Sequence, residues 1–462
     1  MYPIKMLQTA ATLAVLLTLP DFIPYFKDYK VLDWRFAGQV LDFAPHGQST
    51  TPVEAEELRL RPSTDVNKTG LYKIQDSSGN LKKFYKSLYD TELKKSPGIT
   101  QILHYGDSPT TADLITADVR ALLQRQFGDA GHGFIFIDKP WEWYEHRGVE
   151  ISGSGWEMEP ANKSNVKDGQ FGLGGVSFFG QWGSVASVRV KDNTHTVVEV
   201  SYLEQPAGGS FILFGDKFPI ATISTNGTET KPGFATYTVN PGISEYSIGN
   251  VQGHVRLYGM RLGKMTPGVV YSSLGLNGAY ISLLASMFGE EHWAAQLRQA
   301  TPQLVVINYG TNESVYPSFV HKTFERELLK VIQRVRKAVP ESSILVMSPM
   351  DRGQHMSTGE IGSVPALAQL VTMEQQVAAA NDCAFFNTFE AMGGPGTMGR
   401  WYQSEPRMVG ADLIHPMPAG AKLVGNLLYK ALLEGYNNYK LDIVHQKFPD
   451  ASIRGKKVSE EK

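Results

Sequence analysis

The sequence predicts an α/β fold, a parallel sheet between two layers of helices, interrupted by an inserted antiparallel β-sandwich of jelly-roll type. Three observations carry this prediction. A short apolar run at residue 99 leads through a tight turn into an amphipathic helix. From residue 304 the same alternation of strand and helix resumes and repeats to the last helix. Between about 130 and 264 that rhythm is replaced by short alternating runs separated by Gly, Pro and Asn. Strands alternating with helices imply a parallel sheet covered on both faces. Short alternating runs bounded by turn residues imply an antiparallel sandwich.

The N-terminus, MYPIKMLQTAATLAVLLTLPDF, carries a lone Lys5 before an uncharged, largely apolar run at residues 6–19. That run has the length of a signal-peptide core and is short for a membrane-spanning helix. Residues 1–20 are therefore expected to direct export to the periplasm or cell envelope. No clear small-residue cleavage site separates a removed signal peptide from an uncleaved membrane anchor, and a buried helix is the alternative. Residues 21–95 are polar and weakly periodic, and read as a stalk or partly ordered lead-in.

Residues 96–130 open the α/β domain. Ile99, Ile102 and Leu103 form a strand, and Leu114, Ile115, Val119, Leu122 and Leu123 follow the spacing of one buried helix face, which Gly128 ends. Residues 131–264 are the insertion, with strands at 196–203, 210–214, 235–239 and 254–258. Residues 265–445 return to α/β, with strands at 304–309, 344–347 and 383–386. Helices there carry Phe324, Leu328, Leu329, Ile332 and Val335, then 365–380, then 418–433. Residues 446–462, ending RGKKVSEEK, form a solvated polar tail.

A chain of 462 residues exceeds the size at which one core keeps growing, so two compact units are expected. A net charge of -2 gives no field to gather nucleic acid, and no nucleic-acid partner is expected. The one cysteine, Cys383, cannot form an intrachain disulfide and lies beside Ala384, Phe385 and Phe386, the pattern of a buried strand. No HExxH or paired Cys/His spacing is present, so neither metal nor cofactor is expected.

Four separated segments carry chemistry together. Gly106-Asp107-Ser108 lies between a strand and a helix, where side chains face the ligand crevice of an open α/β sheet and a helix N-terminus favours negative charge. A serine hydroxyl needs a base, and the base needs a partner to fix its tautomer. In Asp412-Leu413-Ile414-His415 those two residue types stand three apart, close enough to meet through a tight turn. Gly310-Thr311-Asn312-Glu313, again after an apolar strand, offers a side-chain amide to a developing oxyanion. The segment Gly275-Leu276-Asn277-Gly278-Ala279 offers backbone N–H groups where glycine permits close approach. Taken singly, each is also an ordinary turn or helix cap.

In their order along the chain, GDS, the 275–279 segment, GTNE and DLIH resemble the four sequence blocks of the SGNH, or GDSL, hydrolases, over residues 99–128 and 269–433. The resemblance implies the three-layer α/β/α fold of that family and a serine esterase. Ser108 would be the nucleophile, His415 its base held by Asp412, and Gly278 and Asn312 oxyanion donors with the N–H of Ser108. Gly275 is the rival to Gly278, and Glu313 stands where many members carry Asp. HYGDSPTTADLITADVRALLQRQFGDAGHGF and YSSLGLNGAY are similar to bacterial peptidoglycan O-acetylesterases, which carry a carbohydrate-binding-module-like domain inserted after the serine block. This implies an O-acetylated glycan as substrate. A polysaccharide O-acetyltransferase, an inactive glycan-binding envelope protein and a lipid-ester hydrolase are the alternatives.

Among weaker signals, Trp141 and Trp143, with Tyr144, are either sugar-stacking or core residues, as are Trp156 and Trp182. Asp351 reads as a turn acid. His104 reads as a strand residue packed in the sheet.

Overall fold

The computed structural model describes residues 73–447. The apolar run at 6–19, with its signal or anchor role, lies outside them, as do the lead-in up to 72 and the tail from 448.

Five strands, β1 (Ile99–Gly106), then Gly268–Gly275, Leu304–Asn308, Ser343–Met347 and Ala384–Phe386, form one parallel sheet. In space the order is 268–275, 99–106, 304–308, 343–347, 384–386. Alternation along the strands assigns each residue to a face. Ile102, Leu304, Val306, Leu345 and Phe386 enter one apolar cluster, and Leu103, Tyr105, Val305, Ile307 and Val346 enter the other. Helices Thr116–Phe127 and Pro418–Lys447 cover the first face through Val119, Leu123, Val424, Leu428 and Leu432. Helices Glu290–Ala300, Glu325–Ala338 and Leu367–Ala380 cover the second through Leu297, Leu328, Val335 and Leu370. The chain therefore has the three α/β/α layers expected.

For residues 73–95 the lead-in expectation is corrected. Helix Lys82–Glu92 packs on the first face with Leu81, Phe84, Tyr85 and Leu88 buried, and Gln75 pairs with Phe385 at the sheet edge. These apolar positions recur at i, i+3, i+4 and i+7, so the segment buries a helix face despite its many lysines. At the other end the last helix runs to Lys447, two residues into the expected tail.

The insertion forms two antiparallel sheets. The first has the order 231–238, 197–204, 255–263, 176–180, 157–160, with strand Gly131–Ile135 also on 255–263. The second has the order 149–154, 185–190, 245–252, 210–215, 218–224. Tyr202 of one sheet meets Phe211 of the other edge to face, with ring centroids 6.2 Å apart. The expectation of two separate cores does not hold. Phe178, Val200, Leu257 and Leu213 of the insertion share one cluster with Leu103, Ile307 and Trp293 of the α/β part. Residues 73–447 fall within one compact unit. The join is a backbone hydrogen bond from Phe134 to Ser272 Oγ (3.1 Å), which fixes the insertion's first strand to the edge of the parallel sheet.

Candidate active site

The carboxyl ends of the parallel strands gather the segments singled out in the sequence. β1 ends at Gly106, where an added Cβ would lie 2.3 Å from Thr110 Oγ1, so only glycine permits the sharp turn into the helical turn Ser108–Thr111. Ser108 opens that turn. Its Oγ lies 2.7 Å from His415 Nε2, and His415 Nδ1 lies 2.5 Å from Asp412 Oδ2. With the proton on Nδ1 donated to Asp412, Nε2 is free to accept from the serine hydroxyl.

The Asp412–His415 loop is built for this contact. Asp412 Oδ1 accepts the backbone N–H groups of Ile414 (3.0 Å) and His415 (3.1 Å), an Asx-type turn that leaves Oδ2 for the imidazole. Leu413 takes a left-handed φ of 60° while its side chain is buried, and its carbonyl accepts from Gly353 N at 2.9 Å. Burial would raise the Asp412 pKa, but the bonds from His415 and the two backbone N–H groups outweigh it and hold the carboxylate below its ordinary range. The side chains of His415 and Asp412 keep 43% and 47% of their exposure, so water reaches the imidazole.

The two candidate glycines differ. At Gly275 an added Cβ would meet Thr111 N at 2.1 Å, so this glycine lets the strand pack against the serine turn. Gly278 has φ +68° and open space where a Cβ would stand, the geometry of a main chain that a ligand can approach. Asn312 Nδ2 donates to Ala279 O at 2.9 Å, which anchors the amide and leaves its second N–H for another acceptor. Glu313 is fully buried. Its Oε1 accepts from Ile281 N (2.6 Å) and its Oε2 from Gly310 N (3.1 Å), so one carboxyl ties the chain just after Gly278 to the turn that carries Asn312. Burial pushes its pKa up to about 8 against those two donors.

Several groups at the site were given no role of their own by the sequence. Asp107 is buried beside Ser108, and burial raises its pKa to about 6 against a hydrogen bond from Thr311 and the charge of His415. Arg352 donates from Nη1 to Thr311 O at 2.8 Å, one residue from Asn312. Tyr280 and Tyr316 stand with ring centroids 6.4 Å apart, near enough for their hydroxyls to act electrostatically on that guanidinium. From the inserted segment, Asn162 Nδ2 donates to Asn277 O (2.9 Å), next to Gly278.

Trp141 and Trp143 are not brought to this centre. Trp141 packs half-buried against the core and meets Tyr144 edge to face. Trp143 is exposed on the same loop, whose later part is held by Arg147 N donating to Asp113 Oδ2 (2.9 Å). Trp156 is buried, with Nε1 donating to Val185 O, and Trp182 is exposed. Asp351 is also in the core, where it accepts from Met398 N. His104 bonds Tyr271 OH at 2.6 Å, and burial lowers its pKa to about 4. Cys383 is buried, which raises its thiol pKa to about 11. No group of three or more His, Cys, Asp or Glu side chains among the described residues is arranged to hold a metal ion.

Residues 237–423 match the GDSL-like lipase/acylhydrolase family, a stretch that takes in Gly278, Asn312, Asp412 and His415 and begins after Ser108. Among solved structures, a peptidoglycan O-acetylesterase is similar in fold, with a TM-score of 0.68 and 21% identity over 79% of this chain and 99% of that one. A family two carbohydrate esterase from Clostridium thermocellum, solved with cellohexaose, matches 63% of this chain and 100% of that one at 14% identity, with a TM-score of 0.27. No curated protein sequence matches the chain significantly. The family match over residues 237–423, with the three-layer α/β/α sheet and its β-rich insertion, makes this chain similar to the GDSL-like, or SGNH, acylhydrolases.

Proposed function

We propose that this chain removes O-acetyl groups from a cell-envelope polysaccharide, most specifically peptidoglycan, through an acetyl intermediate on Ser108. The observation that carries the reading is the hydrogen-bonded line from Ser108 through His415 to Asp412. His415 Nε2 takes the hydroxyl proton as Oγ attacks the acetyl carbonyl, and Asp412 stabilises the imidazolium that forms. The carbonyl oxygen, now negative, accepts from the N–H of Ser108, the N–H of Gly278 and the second amide N–H of Asn312. His415 then protonates the departing sugar oxygen, and a water activated by the same nitrogen releases acetate. The solvent exposure of His415 favours water over a sugar hydroxyl as second acceptor, hence hydrolysis over transfer.

The substrate assignment draws on the peptidoglycan O-acetylesterase of the same fold. In this reading residues 1–20 direct export to the envelope, and residues 96–130 with 265–445 form the hydrolase. The insertion, residues 131–264, holds glycan.

Acetate release should be measured for the parent and Ser108→Ala on p-nitrophenyl acetate, O-acetylated peptidoglycan and acetylated xylan. The parent is expected to favour peptidoglycan, and the variant to lose at least roughly 10⁴-fold on every substrate. An equally active variant would refute the nucleophile, and a preference for xylan would refute the glycan.

A further inference from the structure

The guanidinium of Arg352 stands beside the Thr311–Asn312 turn with one defined partner. Nη1 is fixed on Thr311 O at 2.8 Å, so the group is held one residue from Asn312. The next residue, Gly353, donates to Leu413 O between Asp412 and His415, so the backbone here is tied to both sides of the centre. Asp107, Asp412 and the phenols of Tyr280 and Tyr316 are near enough for their charge to act on the guanidinium. Neither carboxylate forms an ion pair with it among the described residues.

Asp107 and Asp412 offset the half-buried charge only from beyond ion-pair distance, which leaves the guanidinium without a carboxylate in direct contact. Holding one carbonyl does not require a charge, since a neutral donor would serve. What a guanidinium adds is a planar fork whose remaining N–H groups match a carboxylate in two parallel bonds. Beside it, Tyr316 is 52% exposed, and Phe319 packs edge to face on Tyr280 at 6.0 Å, steadying a pair of rings against which the apolar face of a sugar can lie.

We propose that Arg352 recognises a carboxylate carried by the substrate near the scissile ester, with Tyr280 and Tyr316 flanking the sugar unit that bears it. The preferred substrate class is thus an acetylated acidic glycan. This rests on the reading of Ser108 as the centre of an O-acetylesterase, and it names a specificity residue for that reaction.

The test compares kcat/KM on two forms of one O-acetylated glycan, its sugar carboxylates free or masked as methyl amides. Parent, Arg352→Gln and Arg352→Lys are each measured at low and moderate salt. The parent is expected to prefer the free form by roughly 10- to 100-fold, mainly through KM. Salt should narrow that preference. In Arg352→Gln the ratio should fall to near one, and in Arg352→Lys it should be intermediate, because the charge remains but the fork is lost.

A parent indifferent to masking overturns the proposal, and that arm needs no variant to fold. So does an Arg352→Gln variant that loses both forms by one factor, which would make Arg352 a positioning residue for the Thr311–Asn312 turn. Failure of the underlying esterase reading looks different: the parent would then release acetate from neither form.

Discussion

At the scale of single residues, the site depends on groups held before the substrate arrives. Asn312 is one, its amide anchored on Ala279 O, and Asn312→Ala is expected to lower kcat by roughly 10²- to 10³-fold with little change in stability. Steady-state kinetics beside a denaturation curve checks both halves. Glu313 makes a different prediction. Its folded-state pKa, about 8, stands above the ordinary 4.5, so between those values the folded chain keeps a proton that the unfolded chain releases. The stability it contributes is complete below about pH 4.5 and falls as pH rises towards 8, by roughly 1.4 kcal/mol per pH unit. Urea unfolding at pH 5 and pH 8 should therefore show a smaller loss in Glu313→Gln than in the parent, and equal losses would contradict the assignment. The meeting of Ser108, His415 and Asp412 was legible in the sequence because their turns combine residue types that have few other joint uses. Arg352 was not, since its meaning comes from Thr311, 41 residues away, and a single arginine in a turn has no period to read.

At the scale of elements, the serine turn is supported by a buried ion pair beneath it. Asp113 accepts from Arg120 Nη2 (2.5 Å), Thr116 Oγ1 (2.7 Å) and the backbone N–H of Arg147 (2.9 Å), and both charged side chains are buried. The pair ties the helical turn at Ser108–Thr111 to helix Thr116–Phe127 and to the loop that closes over them. Burial alone would raise the Asp113 pKa, yet the Arg120 charge and these bonds hold it at about 2. Asp113→Asn is expected to cost about 3–5 kcal/mol at pH 7, because it leaves a guanidinium buried and unpaired. The double change Asp113→Leu with Arg120→Met should cost less. Because the folded value lies below the ordinary 3.8, the contribution is present above about pH 4 and fades as pH drops through 2, so parent and Asp113→Asn should converge in acid. Urea midpoints at pH 7 and pH 3 test this. Helix Thr116–Phe127 was readable from its apolar spacing, but the acid that anchors it was not. Helix Lys82–Glu92 shows the reverse error, since its apolar period is present in the sequence and its lysine-rich composition obscured it.

At the scale of the whole molecule, the β-rich insertion is continuous with the hydrolase core. Its strands were legible because alternation and turn residues are local signals. The shared core was not, because Phe178 meeting the same cluster as Ile307 is a tertiary fact without a sequence period. One cooperative thermal transition is therefore expected for the described region, and two well-separated calorimetric peaks would contradict the shared core. The insertion also reaches the candidate site, through Asn162 on the Asn277 carbonyl beside Gly278, so both parts build the frame in which Ser108 is proposed to act as nucleophile. Whether Ser108 is that nucleophile is answered most directly by reacting the purified chain with a fluorophosphonate and locating the adduct by peptide mass spectrometry. The account predicts one adduct per chain on the peptide bearing Ser108, and its loss in His415→Ala. An unlabelled chain, or an adduct on another residue, would contradict it.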